Sequence, residues 1–152
     1  MRVVVQRVRS AAVRVEGAVV GEIGAGLLVF LGVGHDDGSE DVCWLVEKIF
    51  RLRIFEGADG RMDASLASLP DHRVLVISQF TLLGSLTKGT RPSFHRAAPP
   101  ALAEALYAAF LKEIARVMGH PPARGQFGAD MQISAGNDGP VTLIIDSKHR
   151  DF

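Results

Sequence analysis

A single cysteine, Cys43, in 152 residues leaves no partner for an internal disulfide and too few thiolates for a multi-cysteine zinc site. That usage fits a reducing compartment. Long hydrophobic runs are missing as well. Arg, Asp or Glu interrupts every apolar stretch short of 18 residues, so no segment reads as a membrane-spanning helix. The opening Met1-Arg2-Val3-Val4-Val5-Gln6-Arg7 alternates and lacks the apolar block of a signal peptide. We therefore expect a cytoplasmic chain with no membrane contact. No sign of charge dominates: 17 Lys and Arg balance 17 Asp and Glu. The global basic field that marks many nucleic-acid binders is absent, and DNA is not an expected partner. Neither a Gly-x-Ser-x-Gly elbow nor a His-Glu-x-x-His helix occurs. The histidines at 35, 72, 95, 120 and 149 stand singly, so no metal and no cofactor is expected.

What is present describes a globular chain. With 47% hydrophobic and 22% charged residues it has the material for one folded domain over 1–152, and no linker divides it. Residues 2–9 and 12–16 alternate and are rich in valine, predicting two half-buried strands. Glu16-Gly17 offers a tight turn into a strand near Val19–Ile23. Leu27-Leu28-Val29-Phe30-Leu31 is continuously apolar, as a strand covered on both faces would be. A helix is predicted over about 39–52, capped by Ser39 or Asp37, with Val42, Leu45, Val46, Ile49 and Phe50 at helical spacing. Glu56 to Pro70 reads as loop with a short ribbon near Arg61-Met62. Val74–Ile77 reads as a central strand, and Gly84 to Ala98 as a long loop. Pro99-Pro100 opens a second helix that Gly119 stops. Two closing strands are expected, near Met131–Ser134 and Val141–Asp146, followed by a short tail over 147–152. The order of elements predicts a mixed α/β domain with two helices on one side of the sheet.

Three segments carry candidate chemistry. Gly139-Pro140 stands in Asn137-Asp138-Gly139-Pro140-Val141-Thr142, a setting for a tight turn, because glycine removes the Cβ clash that restricts a residue before proline. X–Pro bonds are also the ones that adopt cis at modest cost. Such a turn aims two bare carbonyl oxygens the same way. Ser78-Gln79-Phe80-Thr81 ends an apolar strand with hydroxyl, amide and aromatic groups, a floor with backbone N–H donors for a carbonyl oxygen. We read these two segments as halves of one pocket. Lys88-Gly89-Thr90-Arg91-Pro92-Ser93-Phe94 puts two cations on a stiff loop beside an aromatic ring, which suits the phosphates and a stacked base of a single-stranded RNA end. A solvated basic turn has the same composition. From Arg2 to Val15 and from His72 to Ala103 the chain carries bases and no acid, so a local basic patch is compatible with zero net charge. Gly32-Val33-Gly34-His35-Asp36-Asp37-Gly38 has the look of a dinucleotide loop, but its glycine spacing is wrong and its aspartates would face a pyrophosphate.

Taken in order, these segments resemble the D-aminoacyl-tRNA deacylases, first known as D-tyrosyl-tRNA deacylases. The likeness runs from Met1–Val8 through Gly24–Gly34, Lys48–Phe55, Ser78–Leu82, Lys88–Phe94, Phe127–Gln132 and Asn137–Thr142, nearly the whole chain. Ala135-Gly136 departs from the larger apolar residues usual in the family. The resemblance implies a barrel-like sheet, a homodimer, and hydrolysis of the ester joining a D-amino acid or glycine to the 3′ end of tRNA. It implies that Ser78, Gln79, Phe80 and Thr81 form the catalytic segment. Gly139, Pro140 and Met131 would bind substrate and reject L-amino acids, with Arg7 holding the Gly-Pro turn, and that turn would enter the other subunit's pocket. Lys88, Arg91 and Phe127 would contact tRNA. Thr81 as nucleophile and the tRNA 2′-hydroxyl as catalytic group both remain open. A small-molecule esterase using Thr81 and His95, and a noncatalytic module that binds RNA ends, are the alternatives from other classes.

Overall fold

A computed structural model of the chain describes residues 1–87 and 89–151. Its spine is β1 (Arg2–Val15), a single strand where the sequence predicted two. One edge of β1 pairs antiparallel with β3 (Gly26–Gly32) and then with β2 (Ala18–Ile23). Its other edge pairs with β8 (Gln132–Asp146). The sheet continues from β3 to β6 (Arg73–Ser78) and β7 (Ala123–Arg124), both parallel. The sheet curls until β7 meets β2: a Cβ on Gly21 would lie 2.5 Å from the Arg124 carbonyl oxygen. The barrel is thus nearly closed. Glu16 and Gly17, at φ 49° and 82°, make the turn between β1 and β2, the positive-φ pair that matches strand twist in a hairpin.

The expected break near Ser10 is a change of phase, not a turn. The buried positions of β1 run Val3, Val5, Val8, Ala11, Val13, and its register with β8 shifts on both sides of Val8. Val3 and Val5 face one core, Val8, Ala11 and Val13 the other. The first core lies under both helices, α1 (Ser39–Arg51) and α2 (Pro100–Met118), where Leu45, Ile49, Phe110 and Ile114 meet Leu27, Val29 and Val76. The second packs Leu28, Leu75, Ile77 and Ile23 inside the barrel. β3 is therefore covered on both faces, as its unbroken apolar run predicts.

The two predicted closing strands are likewise one. Between the pairs Gln6–Thr142 and Val8–Asn137, only Arg7 of β1 stands opposite residues 138–141 of β8. Gly139-Pro140 thus lies in a wide bulge within a continuous strand, where a proline without an N–H costs no ladder bond. Its peptide bond is cis.

Capping of α1 also differs from expectation. Gly38 is the N-cap, and its N–H donates to Asp41 Oδ2 at 2.9 Å. Asp37 turns back to accept from the Gly34 N–H at 2.6 Å and pairs with the Met1 ammonium group. The tail joins this cluster. Ser147 N–H donates to the Met1 carbonyl at 2.8 Å, and Lys148 Nζ reaches Asp41 Oδ2 at 2.8 Å. The ribbon near Arg61 forms from β4 (Phe55–Glu56) and β5 (Met62–Ala64).

Burial alone would raise the pKa of Asp41, but hydrogen bonds from Lys148, Ser147 and the Gly38 N–H outweigh it and hold the carboxyl at about 2. A lowered carboxyl pKa gives stability that is complete above the ordinary value near 3.8 and disappears as pH falls through about 2. Urea unfolding followed from pH 5 to pH 2 should therefore lose about 2 kcal/mol attributable to this group. The Asp41→Asn variant should lack that part of the pH dependence.

Candidate active site

The C-terminal end of β6 is where the chain stops being purely apolar. After the buried Val74–Ile77, Ser78 and Gln79 are half-buried, and the 3-10 turn Phe80–Leu83 follows. The Gln79 N–H donates to the Leu31 carbonyl at 2.7 Å, extending the β3–β6 ladder by one bond and fixing where the turn begins. Arg2 Nη1 donates to the Leu82 carbonyl at 3.0 Å and ties the far end of the turn to β1. As the first residues of the turn, Phe80 and Thr81 have N–H groups without an acceptor inside it; its first bond runs from the Leu82 N–H to the Gln79 carbonyl.

Beside this turn opens a cavity of about 630 Å³. Ser78, Gln79 and Phe80 form its polar edge, and Phe127, Met131 and Tyr107 its apolar wall. Tyr107 is buried, donates its hydroxyl to the Val76 carbonyl at 3.0 Å, and has its pKa pushed up by burial to about 12. It is a neutral wall at physiological pH. Phe94 packs edge-to-face on Phe80, ring centres 5.1 Å apart, and both rings stay exposed at the mouth. Exposed aromatic faces of this kind accept a stacked base.

The sequence-derived residues divide into two groups. Ser78, Gln79, Phe80, Met131 and Phe127 meet in this one cavity. Thr81 is exposed and not part of the cavity lining, and its hydroxyl accepts a bond from the Gln79 side-chain amide. His95 bonds Ser93 Oγ through Nδ1 at 2.8 Å, and no bond joins it to Thr81, so the pairing needed for a Thr81/His95 esterase is not formed. Arg91 is exposed on the loop that the Ser85–Ser93 bridge closes. Lys88 lies outside the described residues.

Gly139, Pro140 and Arg7 do not line the cavity of their own chain. The reading of the two motifs as halves of one pocket is not met within a single copy. Gly139 and Pro140 are exposed, and the bulge that carries them is held from below. Arg7 Nε donates to the Asp138 carbonyl at 3.1 Å and pairs with its carboxylate at 3.1 Å. Arg7 Nη1 also donates to the Ile54 carbonyl. A Cβ on Gly139 would lie 3.0 Å from Arg7 Nη2, and its φ of 127° disfavours any side chain.

Phe94, singled out for base stacking, stands at the rim. Sequence reasoning missed Tyr107 as a wall of the cavity, since nothing local in α2 distinguishes it from a core residue. It also missed Gly32. A Cβ there would come within 2.5 Å of Leu83 Cδ2 and 3.0 Å of the Gln79 carbonyl oxygen, so the absence of a side chain lets the 3-10 turn seat against β3. Gly32→Val should therefore unseat the turn, with a lowered urea midpoint, a loss of roughly 1–3 kcal/mol, and amide NMR shifts concentrated at residues 79–84. A variant with unshifted amides in that segment would show that the glycine is not needed for seating.

Comparison with known proteins shows the family. The family model described as D-Tyr-tRNA(Tyr) deacylase matches residues 4–146. A D-aminoacyl-tRNA deacylase of Opitutus terrae is 58% identical, covering 99% of this chain and 100% of the relative. One from Thermosipho africanus is 50% identical over 97% of this chain and 98% of its own length. Among solved structures, a c-Myc DNA unwinding element binding protein superposes with a TM-score of 0.88 at 38% identity, covering 96% of this chain and 98% of its own. A probable eukaryotic D-amino acid tRNA deacylase, at 20% identity and a TM-score of 0.83 over 95% of this chain and 98% of its own, shares the fold. With a family model spanning nearly its whole length and relatives at half identity or better, the chain belongs to the D-Tyr-tRNA(Tyr) deacylase family.

Proposed function

We propose that this chain hydrolyses the ester of D-aminoacyl-tRNA in the cytoplasm, releasing free D-amino acid and free tRNA, and that it also accepts glycyl-tRNA. The observation that carries the reading is the polar end of β6, Ser78-Gln79-Phe80, opening into a cavity in a chain of this family. Water attacks the ester carbonyl, and the bond to the terminal ribose oxygen breaks. The N–H of Phe80 stabilises the oxyanion that forms on the carbonyl oxygen. The 2′-hydroxyl of the same ribose, held beside the ester, assists proton transfer by proximity. Thr81 is a poor nucleophile here, since an unassisted hydroxyl is weak at neutral pH and Gln79, its hydrogen-bond partner, is not a base.

Handedness is sensed by a second copy of the chain. In this reading a C₂ dimer gives each cavity the Gly139-Pro140 corner of its partner, whose carbonyl oxygens accept bonds from the substrate's α-amino group. An L side chain would run into that corner, a D side chain would point away, and glycine has nothing to clash. Support comes from the exposure of Gly139 and Pro140 away from their own cavity. Further support comes from β8, whose only strand partner among the described residues is β1 and which bears exposed Leu143 and Ile144. Arg91, on the loop beyond the Phe80–Phe94 rim, serves the tRNA backbone, the role the sequence also gives Lys88, and Phe127 and Met131 serve the terminal adenosine and amino acid.

The deciding assay sets D- and L-aminoacyl-tRNA carrying the same amino acid side by side. Rapid hydrolysis of the D form alone is expected; equal rates, or none, would remove the reading. Thr81→Ala should keep substantial deacylation, and a folded but inactive variant would restore Thr81 as nucleophile. Arg7→Ala, by freeing the bulge, should narrow the D-over-L ratio by about tenfold, corresponding to 1.4 kcal/mol of discrimination.

A further inference from the structure

We infer that a second cleft, on the other side of the segment that walls the candidate active site, binds a backbone phosphate of the tRNA single-stranded 3′ end. The inference rests on the proposed function above. The cleft has a volume of about 550 Å³, and its lining includes His35, His95, Arg96, His149, Arg2 and Lys148. Of these residues only Arg2 also serves the hydrolytic site, through its bond to the Leu82 carbonyl.

Residues 94–98 divide the two spaces. Phe94, Ala97 and Ala98 line the active-site cavity, whereas His95 and Arg96 line the second cleft. A nucleotide chain whose last ribose sits at the Phe80–Phe94 rim passes over this wall, and its next phosphate arrives at Arg96. The wall is pinned rather than loose. The Ala98 N–H donates to the Val33 carbonyl at 2.9 Å, and the Ala97 N–H donates to the Phe94 carbonyl at 3.0 Å. His35 Nε2 bonds the His95 carbonyl at 2.9 Å; because a carbonyl only accepts, that nitrogen carries the hydrogen. Arg96 is thereby presented from a fixed turn, which spares the ordering cost of binding an anion with a mobile side chain's backbone.

The paired charges of the cleft cancel, leaving Arg96 as its available cation and Asp36 as its available carboxylate. Asp37 is occupied by Met1 and the Gly34 N–H, Asp146 by Arg2 and the Lys148 N–H, and Lys148 by Asp41. Asp36, also in the lining, is exposed and opposes binding. Arg96 is exposed and makes no salt bridge among the described residues, leaving its five-donor guanidinium for a phosphate, the geometry that group matches best. Among the described residues no group of three or more His, Cys, Asp or Glu is arranged to hold a metal ion.

The test measures binding of a fluorescein-labelled RNA hairpin ending in single-stranded CCA to the full-length protein across a salt titration. Arg96→Ala should weaken binding by about tenfold and flatten the log–log salt slope by about 0.7, the loss of one single-strand phosphate contact. Arg96→Lys should recover the slope, and Lys112→Ala on the exposed face of α2 should match the parent. Superimposable titrations for the parent and a folded Arg96→Ala variant would overturn the inference. Arg96-dependent binding of inorganic phosphate, with RNA affinity unchanged, would overturn it too, by giving the cleft to a free anion. The deacylase reading fails separately, if the parent leaves D-aminoacyl-tRNA intact; the RNA titration still decides the cleft.

Discussion

Arg7 is the one residue of β1 that faces residues 138–141 of β8, and its guanidinium is the contact around which the long sheet is organised. A bulge of that width would ordinarily leave backbone carbonyls unsatisfied next to the core. Arg7 supplies donors to Asp138 and Ile54 and a charge to the Asp138 carboxylate, so the irregular backbone is held without a ladder. The same region moves β1 from the helix-covered core to the barrel interior. One arginine thus serves two links of the chain of causes. It lets a single strand contribute to both cores, and it presents Gly139 and Pro140 outward as a firm corner.

The candidate site depends on a different constraint, the close approach of the Phe80–Leu83 turn to Gly32. β3 and β6 run parallel and end together, and the ladder's last bond, from Gln79 to Leu31, sets the height at which polar groups begin. The turn then needs room against β3, which a missing side chain provides. Arg2 closes the arrangement from the other end while its remaining donors hold Asp146. The proposed chemistry asks little of side-chain acids and bases. It asks for a fixed N–H, a fixed water and a fixed ester, and the neighbouring backbone is tied at Gln79, Leu82 and Ala98.

The wall between the two clefts connects this rigidity to recognition. Its bonds to Val33 and His35 come from the segment that follows β3, so the strand that buries the core also sets the spacing between the cavity and Arg96. In the proposed reading, a substrate held at its ester in one cleft and at a phosphate in the other gains from having both clefts fixed to one strand.

The sequence by itself determined the local elements whose signals are short-range. The apolar run of β3, the stripe and stops of α2, the Glu16-Gly17 turn and the polar end of β6 are each written within a few residues, because periodicity and backbone freedom act over that distance. It also carried the motifs that marked Ser78, Gln79 and Phe80 as a catalytic segment, while Phe127 and Met131, assigned to other roles, meet them only in the folded cavity. Tertiary structure alone decided that β1 and β8 are each one strand, since bulges and turns have the same local composition and differ only in what pairs across from them. It decided that Gly38, not Ser39 or Asp37, caps α1, because the fold brings the Met1 ammonium group to Asp37. And it decided that Gly139-Pro140 lies away from its own cavity and that Gly32 is a seat for the turn, for both are distances between segments, which no stretch of neighbouring residues encodes.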